Sequence, residues 1–184
     1  MLNACSDKRG FTLVEALVVV AIIGVLSGMG VASLRGAVAN SRIKDAGINV
    51  TAFVQSAANE ATRLNEKLCV VVSNQHTMKL YKGACGSTFE EGNLLNQLVL
   101  EAGNKFITAS NNVNCPELGE SQRSPKTSME LVPKVGVSPI PTGCFLVRYG
   151  ETDRFAASIK MPSRFPMYYK LSYDSGSENS WFEF

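Results

Sequence analysis

Residues 11–34 read FTLVEALVVVAIIGVLSGMGVASL and contain one charged residue, Glu15. As a helix rising 1.5 Å per residue, the run covers about 36 Å, enough for the roughly 30 Å hydrocarbon core of a bilayer. Burying it as the core helix of a 184-residue chain would be hard. The charged fraction of the whole chain is 18%, below the roughly 25% of soluble domains, which also favours a membrane or buried segment. All seven prolines lie at or after Pro116, so nothing interrupts a long helix before that point. Lys8 and Arg9 precede the run and favour a cytoplasmic N-terminus. Two other readings compete. A secretory signal peptide would use Lys8 and Arg9 as its basic region and Ala37-Val38-Ala39 as its cleavage site, but the run is longer than the usual apolar region. A plain membrane anchor explains the length but not Glu15.

A carboxylate in lipid costs about 2–3 kcal/mol or more unless it is paired. Arg35 lies 20 residues from Glu15, roughly 30 Å along a helix, and cannot reach it. If the chain were cut after Gly10, the new amine of Phe11 would supply a positive charge, on the same chain or on a neighbour.

The segment Lys8-Arg9-Gly10-Phe11-Thr12-Leu13-Val14-Glu15 closely resembles the class III signal of type IV pilins and type II secretion pseudopilins. The resemblance implies several things. A prepilin peptidase would cut between Gly10 and Phe11 and then methylate the Phe11 amine. Glu15 would guide the subunit into a filament beside other pilin or pseudopilin subunits. Residues 1–10 would be a leader that is removed, and 11–34 the transmembrane or filament-core helix. Residues 35–184 would form a periplasmic head held at the inner membrane or in a filament. Loss of Asp7, Lys8 and Arg9 with the leader leaves the mature chain nearly neutral, which suits lateral packing.

Beyond the apolar run, Ile43, Ala46, Val50, Phe53, Val54, Ala57, Ala61, Leu64 and Leu68 recur at steps of three and four, the amphipathic period. Arg42, Lys44, Asn49, Gln55, Asn59, Arg63 and Lys67 fall on the opposite face. One helix is expected over 11–67. Within it, Gly24 and Gly28 form a G-x-x-x-G pair, compatible with close helix approach or with glycines that membrane helices simply tolerate. After residue 68 the period changes. Strands are expected at 68–73, 77–82, 105–110, 128–132, 144–149, 155–161 and 167–173, with a turn at Asn74-Gln75-His76 and a loop over 111–126. Residues 94–101 read as strand or short helix. The layout is α+β: one antiparallel sheet of five to seven strands laid on the amphipathic half of the helix. Residues 46–81, with Arg63-Leu64-Asn65 and Cys69-Val70-Val71-Val72, are also similar to H-type minor pseudopilins and related minor pilins. Major pilins typically place a loop between helix and sheet.

Cys5 lies in the leader, and Cys69, Cys85, Cys115 and Cys144 lie beyond the apolar run. An even number in an exported region suggests two disulfides, with three connectivities open. The favoured one pairs Cys69 with Cys85 across the first hairpin and Cys115 with Cys144 across the long loop. Free buried thiols are the alternative. With no C-x-x-C spacing and His76 the single histidine, no metal site is expected. His76 reads as a surface turn residue, and no nucleophile–base constellation points to an enzyme or a cofactor. Glu90-Glu91 and Glu117/Glu120 read as solvated surface, and Asp174, Ser175, Glu178 and Asn179 match no calcium loop. Lys79, Lys82, Lys134, Arg148, Arg154, Lys160, Arg164 and Lys170 interleave with Tyr81, Tyr149, Tyr168 and Tyr169. That pattern leaves a nucleic-acid-binding pilin open as a second reading, although alternation along strands usually marks a solvated sheet face. A membrane-anchored periplasmic protein outside any filament is the third. The terminal Ser180-Trp181-Phe182-Glu183-Phe184 is either an edge strand or a subunit contact.

Overall fold

Free of proline, residues 13–64 form a single helix, α1 (Leu13–Leu64, 52 residues), in the computed structural model. The structure describes residues 11–86, 89–108, 115, 125–137, 144–151, 156–160, 168–172 and 181–183. The helix is shorter than expected at both ends, and each end has a local cause. Thr12 caps the start. At the other end Asn65 takes a left-handed conformation (φ 53°). Its N–H reaches Thr62 O, and the Glu66 N–H reaches back to Ala61 O, so two carbonyls of the last turn are satisfied. Leu68 is the first residue of a strand, where the change of period placed it.

The chain divides into two units, 1–38 and 39–184. In the first, residues 13–28 of α1 are exposed, and their side chains are apolar apart from Glu15 and Ser27. Among the described residues no helix is long and apolar enough to cross a membrane.

Among the described residues, the second unit contains ten strands after the helix: β1 (Leu68–Val72), β2 (Thr77–Lys82), β3 (Leu94–Val99), β4 (Asn104–Ile107), β5 (Ser128–Val132), β6 (Gly136–Val137), β7 (Phe145–Tyr149), β8 (Ala156–Lys160), β9 (Tyr168–Ser172) and β10 (Trp181–Glu183). They form two five-stranded sheets, ordered β3-β2-β1-β5-β6 and β10-β9-β8-β7-β4, with every pair antiparallel. This corrects the expectation of one sheet of five to seven strands. The division arises at β4, which leaves β3 and pairs with β7 (Phe106 with Val147). A turn ending at Gly103 (φ 91°) makes the switch, and a Cβ there would sit 2.8 Å from the Tyr149 ring. Only glycine fits both constraints without strain. The β1–β2 turn then joins the two sheets: the Phe106 N–H donates to Gln75 O at 2.7 Å and the Leu100 N–H to His76 O at 2.8 Å.

Residues 94–99 are strand, paired with β2, with a bulge opposite Leu80/Tyr81. β10 answers the question of the aromatic C-terminus: it is an edge strand on β9, with Trp181 buried. The loop expected at 111–126 falls largely outside the described residues. Of it, Cys115 is buried and Pro125 bridges to Cys144.

One core holds the head together. Ile43, Ala46, Val50, Phe53, Val54, Ala57 and Ala61 of α1 meet Leu68, Val70, Met78, Leu80, Met129 and Leu131 of the first sheet. The same cluster takes Phe106, Phe145, Val147, Ala157 and Ile159 from the second sheet. Each strand contributes alternate residues, as the period-2 pattern requires. On the other face of the second sheet, Ile107, Leu146, Ala156 and Trp181 pack with Cys115 and Cys144. Phe145 is the largest fully buried side chain, so Phe145→Ala should cost about 3–5 kcal/mol. The expected readout is a lowered Tm in thermal unfolding followed by Trp181 fluorescence, with the helical circular dichroism at 20 °C retained.

Lys105 holds the Glu151 carboxyl below its usual range, and Arg63 does the same for Glu60, in each case chiefly through the side-chain hydrogen bond. Carboxylates lowered in the folded state stabilise it above their unfolded pKa. That contribution is lost as pH falls through the lower folded value. Titration of the unfolding midpoint should therefore show an added loss below about pH 4.5, and Lys105→Met should remove the Glu151 part of it. Both pairs are exposed, so the effect is small.

Candidate functional site

The N-terminal turn of α1 is a complete capping box. Thr12 is the residue before the helix, and its carbonyl accepts the first helical bond from the Ala16 N–H at 3.2 Å. Its hydroxyl accepts the Glu15 N–H at 3.2 Å and donates to Glu15 Oε2 at 3.1 Å. The same carboxylate oxygen accepts the Thr12 N–H at 3.2 Å. Two N–H groups that a helix start leaves without partners are thus satisfied reciprocally. The acidic side chain also lies in the first turn, where the helix dipole favours it. Reasoning from charge alone assigned Glu15 a cationic partner and missed Thr12. The signal was present as Thr-x-x-Glu ahead of an apolar run.

Behind this cap the helix surface is apolar on every side. Phe11 is 82% exposed and Leu13 78%. Val14, Leu17, Val20, Ile23, Val25 and Leu26, spread around the helix, are exposed as well. A helix apolar all round is one that is stable when its surface is covered. A Cβ at Gly24 or Gly28 would meet nothing within 4 Å. Lys8, Arg9 and Gly10 lie outside the described residues.

The remaining sites expected from the sequence are distributed over the head. Cys69 is bonded to Cys85 (Cα–Cα 5.1 Å) and Cys115 to Cys144 (Cα–Cα 5.8 Å). Each bridge is worth about 2–4 kcal/mol. His76 sits exposed in the β1–β2 turn, with Nδ1 at 2.9 Å from Asn104 O. It therefore ties the turn to β4, a role its turn position did not disclose. The described basic residues are divided between the sheets. Lys82 pairs with Glu66 at 2.8 Å, and Lys105 pairs with Glu151. Lys79 is on β2, Arg148 on β7, and Lys134 in the β5–β6 turn. Glu90 and Glu91 are exposed. Arg154, Arg164, Glu117, Glu120, Asp174, Ser175, Glu178 and Asn179 lie outside the described residues, as do the side chains of Lys160 and Lys170. Among the described residues no group of three or more His, Cys, Asp or Glu could hold a metal ion.

A capped, apolar helix that continues into antiparallel sheets is a pilin-like α+β fold. The family model for the prokaryotic N-terminal methylation motif matches residues 5–31. The match covers the segment that resembles the class III signal of type IV pilins and pseudopilins. That signal implies processing by a prepilin peptidase. Neither the curated proteins nor the solved structures give a significant match.

Loss of the cap should be visible locally. Thr12→Ala should destabilise the first turn of α1 by about 1 kcal/mol, read as roughly five-fold faster amide exchange over 13–16 in detergent micelles. Thr12→Ser should restore most of the protection.

Proposed function

We propose that the chain is a minor pilin or pseudopilin, a structural subunit of a type IV pilus or type II secretion filament. One observation carries the reading: the methylation motif leads directly into a helix whose apolar side chains are exposed on every side. Before assembly the bilayer covers that surface. The sequence run 11–34 is about 36 Å long as a helix, against a core of roughly 30 Å. Lys8 and Arg9 keep the N-terminus cytoplasmic and the head periplasmic. After assembly the helices of neighbouring subunits replace the lipid, and Gly24 and Gly28 let them approach closely. Cleavage between Gly10 and Phe11 frees the amine that is then methylated, and Glu15 guides docking.

The minor, H-type assignment is supported by the connection after the helix. Residues 65–67 alone separate α1 from β1, so the first hairpin follows the helix without an intervening loop. Two disulfides in the head fit an oxidising compartment.

Mass spectrometry of the N-terminal peptide from native membranes tests the processing. A peptide that begins at Phe11 with one added methyl is expected. One beginning at Met1 or near Asn40 would return the chain to the anchored or secreted class. Glu15→Ala should leave cleavage intact and reduce recovery of the subunit in sheared or cross-linked filaments at least ten-fold. Normal incorporation of that variant would remove the role given to Glu15.

A further inference from the structure

Among the described residues, strand β3 closes one edge of the first sheet. Its six residues, Leu-Leu-Asn-Gln-Leu-Val, include no charge and no proline, the usual protections of an open edge. The register sets which backbone groups face outward. The Leu100 N–H bonds to His76 O on the β2 side. Alternation along an antiparallel ladder then turns Leu98 and Asn96 toward β2, and Gln97 and Val99 outward. The Gln97 N–H confirms this, because it is held by the side chain of its own neighbour, Asn96 Oδ1, at 2.8 Å. Leu95 and Val99 are 42% and 60% exposed. Beside this edge runs a groove of about 220 Å³ between α1 and the sheet, lined by Ser56, Glu60, Leu80, Leu95 and Asn96. A strand added to β3 would place an alternate side chain in that groove while its backbone bonds to Gln97 and Val99.

Charge at the two ends of the edge selects the occupant. Glu90 and Glu91 precede β3 and are exposed, with no ion pair among the described residues. Glu101 follows β3 and is bonded to Arg42. A second copy fits poorly. Antiparallel self-pairing about Gln97 opposes Leu95 with Val99, but it brings Glu101 of one chain to Asn93 of the other, beside Glu91. We infer that the open edge of β3 binds an extended segment of a partner protein, apolar at alternate positions and flanked by basic residues, by strand addition. Backbone bonds supply the affinity, and the groove and the acidic pair Glu90–Glu91 supply the selectivity. Docking exchanges the Asn96–Gln97 hydrogen bond for one to the partner, so the edge is occupied only by a strand that brings further contacts. The inference is independent of the filament reading, since every residue it uses lies in the head.

The test uses the full chain in detergent micelles and two labelled nine-residue peptides. Both have a core of alternating valine and threonine; one ends in lysine pairs and the other in glutamate pairs. The lysine-ended peptide should bind at least ten-fold tighter by fluorescence anisotropy and slow amide exchange at Gln97 and Val99. Gln97→Pro, which removes an outward N–H without touching the β2 ladder, should abolish binding. The double variant Glu90→Lys, Glu91→Lys leaves the edge intact and should reverse the peptide preference. Equal binding of both peptides, no binding at millimolar concentration, or protection elsewhere in the head would overturn the inference. So would concentration-dependent dimers with protected β3 amides and no peptide, which would assign the edge to a second copy.

Discussion

The apolar stripe on the second half of α1 is the surface on which both sheets depend. Ile43, Val50, Val54 and Ala57 are nearly or fully buried, and they sit in one cluster with strands of both sheets. Neither sheet forms a closed core by itself, since the apolar face that each turns to the shared cluster needs a second layer. The helix supplies that layer for both. Ala46, Ala57, Ala58 and Ala61 share that cluster with the larger Phe53 and Phe145. The polar face opposite, from Arg42 to Arg63, stays exposed. The same helix therefore changes character along its length without a break in its backbone. At its start every side is apolar, and in the head one stripe is.

This change was legible in the sequence because it is local. Absence of proline, a 3.6-residue period and the loss of charge before residue 35 all report on one helix. The strands from 68 to 82 and from 128 to 132 were legible for a similar reason: a continuous apolar run at 68–72 and alternation at 77–82 and 128–132. Partition of the strands into two sheets was not legible. It depends on β4 choosing β7, some forty residues later, over its neighbour β3. Gly103 and the Tyr149 ring decide that choice, and their proximity exists only in the folded chain. The two-residue β6 carries no period at all. β10 was ambiguous because three residues with two aromatics suit an edge strand and a contact surface equally.

Of the candidate site, Phe11 and Glu15 stood out by type, one as the residue after glycine and one as the lone charge. Thr12 did not, because a hydroxyl before an apolar run draws no attention until the carboxylate three residues later is read with it. His76 shows the converse. Its turn position was read correctly, yet its bond to Asn104 O joins two sheets whose existence the sequence did not reveal.

The capping box alters what docking at Glu15 must achieve. A carboxylate in an apolar segment was expected to need a cation, yet within one chain it already accepts the Thr12 N–H and hydroxyl. Hydrogen bonds to a charged group contribute about 1.5–3 kcal/mol each. An amine docking there, as proposed, would meet a carboxylate that is already hydrogen-bonded rather than a bare charge. The gain on assembly is the difference between the two arrangements, which is smaller than a full ion pair in lipid would suggest. Oε2 takes both bonds from Thr12, and no hydrogen bond or ion pair to Oε1 is seen among the described residues, so the carboxylate can hold its helix cap and receive a neighbour's amine together. On that geometry the cap positions the charge at the helix start, and the proposed docking would add to the cap without dismantling it.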